Sequence, residues 1–116
     1  MDTQTLEEYN QYIGRTFSAE DEWLCAAREA MQRGGLPGIN VSASEGKMLH
    51  VLALMCGAKR ILEVGTLGGY STIWLARALP PDGRLISLEI DLHHAEVARD
   101  SIARAGLADK VEVRVG

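Results

Sequence analysis

The residues best suited to chemistry in this sequence surround a glycine-rich stretch between positions 63 and 71. Three glycines, Gly65, Gly68 and Gly69, follow an acid, Glu63. Glycines let a backbone pass close to a ligand without side-chain clashes, and free N–H groups at the start of a following helix can bind an anionic group. On its own, a glycine-rich turn of this kind would suit a dinucleotide, another nucleotide or no ligand at all.

Two acids make this stretch more specific. Glu63 ends an otherwise apolar run, where burying a carboxylate is costly unless it is paired; its partner would be a cationic ligand group or a structural cation such as Arg60. Glu89 ends the next apolar run, 24 residues after Gly65. An acid there can accept hydrogen bonds from ribose hydroxyls, or it is simply solvated. No Lys follows the glycines, which excludes a P-loop.

Helical patterns dominate the first half of the chain. Apolar residues at helical spacing predict a helix over 3–16 and a second helix that ends near Gly34 and is N-capped by Ser18. Ser42 and Glu45 have the spacing of a capping box, and the helix they open runs to about Cys56. That third helix is apolar nearly all round, so we expect it to be buried on most sides.

The second half alternates between strand and helix patterns. Strands are predicted over 60–64, 84–90 and 111–115, and helices over 70–79 and from Asp91 to Ala105. The order β-α-β-α-β predicts a parallel sheet with right-handed crossovers. Ligands of such sheets bind outside the carboxyl ends of the strands, which places Glu63 and Glu89 together with the glycine-rich turn.

Charge and composition exclude several function classes. Lys and Arg total 12 against 16 Asp and Glu, a formal net charge of −4, and no basic run exists. We therefore expect no nucleic-acid and no membrane partner. The first residues have neither a basic nor an apolar region typical of a signal peptide, and no apolar stretch is long enough to span a bilayer. These features predict a cytoplasmic protein.

Three segments resemble those of one enzyme family. The stretches E-V-G-T-L-G-G-Y-S-T at 63–72, L-I-S-L-E-I-D at 85–91 and A-G-L-A-D-K-V-E-V at 105–113 resemble the cation-dependent class I O-methyltransferases. That family is similar to catechol and caffeoyl-CoA O-methyltransferases and their bacterial relatives. The resemblance implies an α/β, Rossmann-like fold that uses S-adenosylmethionine, with a helical preface at 1–57 and a β-α-β-α-β half at 58–116 within one domain.

The resemblance also implies a role for each matching residue. Glu63 would hold the amino group of the methionine moiety, Ser71 its carboxylate, and Glu89 the ribose. Val41 would add a backbone contact to the carboxylate, unless it is only a packing residue. The remaining matching positions would shape the turn or pass their backbone beside the cofactor: Gly65, Thr66 and Tyr70.

Other parts of the family's machinery have no match in this sequence. The family's sheet has more than three strands, and its divalent-metal ligands and adenine contacts lie after the third strand. We therefore expect a fold truncated after that strand, with no catalytic or metal-ligating residue of its own and a Mg-like metal only in the complete protein. Asp91, His93 and His94 are expected to be a helix cap and solvated side chains.

The function expected from the resemblance is methyl transfer to a hydroxyl of a small, catechol-like acceptor, with this chain as the cofactor-binding half. A non-catalytic module that binds S-adenosylmethionine or adenosine is the alternative, and half of a nicotinamide-dependent dehydrogenase is a weaker one. The first strand would leave Ile61, Leu62 and Val64 at a sheet edge, and the helical preface with Tyr9 and Tyr12 offers further apolar surface. We therefore expect a homo-oligomer, a dimer.

Overall fold

A computed structural model describes residues 2–116 and confirms the predicted order of elements, three helices followed by β-α-β-α-β. The eight elements are α1 (Thr3–Phe17), α2 (Glu22–Arg33), α3 (Ala43–Met55), β1 (Arg60–Val64), α4 (Tyr70–Ala76), β2 (Arg84–Glu89), α5 (Leu92–Arg104) and β3 (Val111–Val115).

The three strands form one parallel sheet in the order β1-β2-β3. Val64 at the end of β1 lies opposite Leu88 of β2, and Leu88 lies opposite Arg114 of β3. Because the strands are parallel and in this register, Glu89 at the end of β2 lies beside the turn that leaves β1. The carboxyl ends of β1 and β2, which carry the two predicted acids, therefore lie side by side.

Side-chain caps define most helix starts, as the sequence indicates. Ser42 and Glu45 form the predicted capping box of α3, and Asp91 caps α5 by accepting the N–H of His94. The prediction for α2 was wrong. Its cap is Asp21, whose carboxylate accepts the N–H of Leu24 at 3.0 Å, whereas Ser18 ends α1 through its own backbone N–H.

One apolar core joins the helical preface to the sheet. The buried face of α2 packs against α4 and α5, and these two helices pack in turn against the central strand, β2. The largest fully buried side chains of this core are those of Tyr70, Leu24, Ile73 and Leu85. The preface is thus part of the domain that carries the site, because α2 forms one wall of the same core.

The expectation that α3 is buried on most sides was wrong. Only Gly46 and Ala53 of this helix are buried, and both lie where α3 approaches α4. Gly46 is required there, since a Cβ would stand 2.2 Å from Cδ1 of the Trp74 indole. Elsewhere α3 contacts chiefly α1, and to a lesser extent than α4, and Met48, Leu52 and Met55 are exposed.

The outer side of β1 is open as well. Within residues 2–116, β1 pairs only with β2, and Leu62 and Val64 are exposed. This is the edge that the sequence predicts, and an apolar edge strand is a template for pairing with further chain. No helix among the described residues is long and apolar enough to cross a membrane.

Candidate functional site

The turn after β1 carries the chain across the end of β2. Gly65 has a φ of +91°, which an L side chain rarely adopts. The N–H groups of Gly65 and Thr66 both donate to the carbonyl of Leu88, at 2.8 and 3.2 Å. The glycine therefore lets the turn fold back onto the neighbouring strand, and the backbone beyond it faces the cleft above the sheet.

The second glycine of the stretch has a packing role. A Cβ on Gly68 would lie 2.0 Å from Cγ and 2.4 Å from Sδ of Met31 in α2, far inside van der Waals contact. The turn can approach α2 this closely only because position 68 has no side chain. Part of the glycine-rich pattern that predicts ligand binding thus serves the contact between the turn and the preface.

Glu63 lies at the centre of a group of hydroxyls. Its Oε2 accepts the hydroxyl of Ser71 at 2.7 Å, and its Oε1 accepts those of Thr72 and of Ser87, the latter at 2.7 Å. The side chain of Thr66 in turn contacts Ser87 at 2.6 Å. The alternative of a structural cation such as Arg60 was wrong, because these hydroxyls, on the turn, α4 and β2, are what hold the carboxylate in place.

Glu89 is almost fully buried, with 7% of its surface exposed, so it is not a solvated strand-end acid. Oε1 accepts the N–H of Leu67 at 2.8 Å, and Oε2 accepts the N–H of Asp91 at 3.0 Å. Leu67 has a positive φ of 51°, uncommon for a residue other than glycine, and the bond to Glu89 holds it there. Two acceptor positions of the carboxylate remain for a ligand.

Tyr70 closes the far side of the turn. Its hydroxyl donates to Glu20 at 2.7 Å, and Glu20 pairs with Arg28 at 2.6 Å. Burial opposes ionisation of Glu20, but the hydrogen bonds from Arg28 and Tyr70 outweigh it and hold the pKa of Glu20 below its ordinary value. Burial, with the bond to Glu20, raises the pKa of Tyr70. Tyr70 therefore stays a neutral donor that ties the start of α4 to the segment just before α2.

A cleft of about 320 Å³ opens above these residues. Six of the seven positions implied by the resemblance line it together: Val41, Gly65, Thr66, Tyr70, Ser71 and Glu89. Glu63 is the exception, since it lies behind Ser71, to which it is hydrogen-bonded. The structure thus gathers these six residues, from three separate segments of the sequence, around one cavity.

The cleft has further walls that the sequence analysis did not assign. Met31, Pro37, Ile39, Asn40, Leu67, Gly68 and His94 also line it. His94 was expected to be solvated, which was wrong, because its side chain is only 20% exposed and its Nδ1 lies 3.6 Å from Oε2 of Glu89. The first turn of α5 folds His94 over the end of β2, and the short spacing between Glu89 and His94 was the available signal.

Comparisons with known proteins identify the family to which this chain belongs. A sequence profile described as O-methyltransferase matches residues 15–116. The chain belongs to the O-methyltransferase family. Over 116 residues it is 51% identical to a catechol O-methyltransferase of Niastella koreensis, covering 100% of this chain and 52% of the relative. It is 50% identical over 109 residues to a catechol O-methyltransferase of Mycobacterium tuberculosis, covering 94% and 50% respectively.

Solved structures of the O-methyltransferase family share the fold. The O-methyltransferase TomG from Streptomyces achromogenes, in complex with S-adenosylmethionine, matches with a TM-score of 0.94 at 47% identity, over 100% of this chain and 52% of TomG. An O-methyltransferase from Bacillus cereus, in complex with S-adenosylhomocysteine, matches with a TM-score of 0.91 at 45% identity, over 94% and 50%. The chain therefore spans about half the length of the relatives it matches.

Proposed function

We propose that this chain is the cofactor-binding half of an S-adenosylmethionine-dependent O-methyltransferase. The observation that carries the proposal is the cleft itself, because six residues that the family resemblance assigns to the cofactor line it together. Two relatives of similar fold are complexes with S-adenosylmethionine or its demethylated product. Family membership alone does not say where this chain would hold the cofactor, and the cleft that these six residues line supports the position that we propose.

The residues fit the two ends of the cofactor. The ribose belongs at Glu89, which keeps two acceptor positions after binding Leu67 and Asp91. The methionine end belongs beside Ser71 and the backbone of Val41. Glu63 keeps one acceptor position on Oε2, the atom that Ser71 contacts, and we assign the amino group to it. Gly65 and Thr66 contribute backbone, and Tyr70 holds the turn.

When bound, the cofactor supplies an electrophilic methyl group, which an acceptor oxygen takes by direct displacement from sulfur. The residues of this chain bind and orient the cofactor, and positioning of that kind supplies much of the rate of such a transfer. The divalent cation that the resemblance implies does not fit this part of the protein, since no three possible metal ligands meet among residues 2–116.

Methyl transfer by the full-length protein tests the proposal. With S-adenosylmethionine and a catechol as acceptor, we expect a methylated product and stoichiometric S-adenosylhomocysteine. The 116-residue chain alone should form neither. Binding of S-adenosylhomocysteine by the full-length protein without turnover of any small hydroxyl acceptor would favour the alternative, a non-catalytic module for S-adenosylmethionine or adenosine. Binding of NAD in place of S-adenosylmethionine and S-adenosylhomocysteine would favour the weaker alternative, half of a nicotinamide-dependent dehydrogenase.

The partners of the protein are part of the same proposal. The family leads us to expect a small hydroxyl-bearing acceptor. The apolar surface that the described residues leave exposed on α1, α3 and β1 leads us to expect a homo-oligomer, most simply a dimer. The division into a helical preface at 1–57 and a sheet half at 58–116 and the cytoplasmic location both stay predictions, the latter checked by cell fractionation.

A further inference from the structure

The segment between α1 and α2 places two adjacent acids at the two ends of α4. Glu20 accepts a hydrogen bond from the hydroxyl of Tyr70, the first residue of α4, at 2.7 Å. Asp21 accepts one at 2.6 Å from the guanidinium of Arg77, the residue that ends α4. Because a helix of seven residues is only about 10 Å long, the long side chains of Tyr70 and Arg77 bring both of its ends within reach of neighbouring acids.

The contact at Tyr70 is the stronger of the two. Glu20 is itself held in place by Arg28, which donates from Nε at 3.2 Å and from Nη2 at 2.6 Å. The side chain of Glu20 is 17% exposed, against 47% for that of Asp21. A hydrogen bond to a largely buried charge stabilises an arrangement more than an exposed ion pair does. Glu20 therefore fixes the start of α4 more firmly than Asp21 fixes its end.

The residues that follow Tyr70 belong to the methionine end of the proposed cofactor site. Ser71, which we assign to the carboxylate, comes next in the chain, and its hydroxyl donates to Glu63 at 2.7 Å. Glu63, which we assign to the amino group, also accepts the hydroxyl of Thr72. The first residues of α4 are thus held from two sides, by Glu63 in the sheet and by Glu20 in the helical preface.

We propose that Glu20 is a positioning residue, which acts through Tyr70 to place Ser71 at the methionine end of the cofactor. The inference rests on the proposed function, because it uses the assignment of Ser71 and Glu63 to that end. A misplacement of about 1 Å is enough to weaken the contacts of a positioning group. The ribose end does not depend on Glu20, because Glu89 is held by two backbone N–H groups.

Calorimetry of the full-length protein with two ligands tests the proposal. S-adenosylhomocysteine carries the amino and carboxylate groups of the methionine end, whereas 5′-methylthioadenosine has the same adenosine and sulfur without them. Glu20→Ala should bind S-adenosylhomocysteine about tenfold more weakly than wild type, the loss expected when one charge-assisted hydrogen bond is misplaced. Its dissociation constant for 5′-methylthioadenosine should stay within about twofold of wild type, because the ribose end is unchanged. A general loosening of the domain would weaken the binding of both ligands.

Asp21→Asn is the matched control, since it changes the neighbouring acid, which contacts the other end of α4. Asparagine keeps the N-cap of α2 and removes the charge that pairs with Arg77. This variant should bind both ligands as the wild type does. Urea unfolding of each variant establishes that the protein is folded under the conditions of the titration.

A double variant shows whether Glu20 acts through Tyr70. Tyr70→Phe removes the donor hydroxyl, so it should weaken the binding of S-adenosylhomocysteine by the same factor as Glu20→Ala, and combining the two substitutions should cause no further loss. Equal weakening of both ligands by Glu20→Ala, no weakening of either, or additive effects of the two substitutions would overturn the proposal. A wild type that binds neither ligand would instead refute the proposed function on which the inference rests.

Discussion

The cluster of three side-chain hydroxyls that donate to Glu63 leads to a testable prediction about the stability of the fold. Glu63→Ala removes the acceptor of three hydroxyl donors. A hydrogen bond to a charged group contributes roughly 1.5–3 kcal/mol, and truncation also relieves the cost of burying the carboxylate. We therefore expect the free energy of unfolding to fall by about 3 kcal/mol, less than the three bonds would give if added.

Thr72 separates this account from a general loss of packing. Its side chain is fully buried, and its hydroxyl donates to Glu63. Ser87 keeps the side chain of Thr66 as a partner when Glu63 is truncated. Thr72→Val should cost about 1.5 kcal/mol in the wild type and close to nothing in the Glu63→Ala background, a coupling of about 1.5 kcal/mol.

Urea unfolding of the full-length protein, followed by tryptophan fluorescence, measures all four corners of this cycle. Glu112→Ala on the exposed side of β3 is the control and should change the free energy of unfolding by less than about 0.5 kcal/mol. If Thr72→Val lowers the free energy of unfolding equally in both backgrounds, Thr72 does not donate to Glu63. The hydroxyls around Glu63 would then not act as one unit.

Three further predictions follow from contacts elsewhere in the domain. Gly46→Ala should destabilise the protein by about 1–2 kcal/mol, because its Cβ meets the indole of Trp74, whereas Gly14→Ala, with open space around it, should stabilise it by about 0.5–1 kcal/mol; chemical denaturation measures both. Tyr70→Phe should cost about 1–2 kcal/mol, since it removes the donor to Glu20, and a loss below about 0.3 kcal/mol would show the bond to be unimportant. Because the folded-state pKa of Glu20 is lowered, its stabilising effect is full above its ordinary pKa and is lost as pH falls below that value and through the lowered folded-state pKa. Glu20→Gln should flatten the pH dependence of the free energy of unfolding in this acidic range, and an unchanged slope would contradict this.

The sequence predicted the fold well wherever the signal was local. The capping box of Ser42 and Glu45 and the cap at Asp91 depend on neighbours within one helical turn, so their spacing predicts them directly. Ser18 was the wrong cap because several residues before α2 could serve. The hydrogen bond that Tyr70 donates to Glu20 joins residues far apart in the sequence, so local spacing does not predict it.

Tertiary relationships explain the remaining errors. The apolar pattern of α3 predicts that the helix packs against other parts of the protein, but it cannot show which parts. Within residues 2–116 only Gly46 and Ala53 of this helix are buried. Six of the seven predicted positions line one cleft, because a parallel sheet fixes where its strand ends meet. His94 also lines that cleft, because the first turn of α5 folds over Glu89; the only sequence signal for this contact is the short spacing between the two residues.

Titration calorimetry of the full-length protein with S-adenosylhomocysteine tests the central claim, that this cleft binds the cofactor through Glu89. We predict one site per chain in the wild type. Glu89→Gln should bind more than about a hundredfold more weakly, since two charge-assisted bonds to the ribose contribute roughly 3 kcal/mol, while Glu112→Gln should bind as wild type does. Unchanged affinity in a folded Glu89→Gln variant, or no binding by the wild type, would contradict the claim.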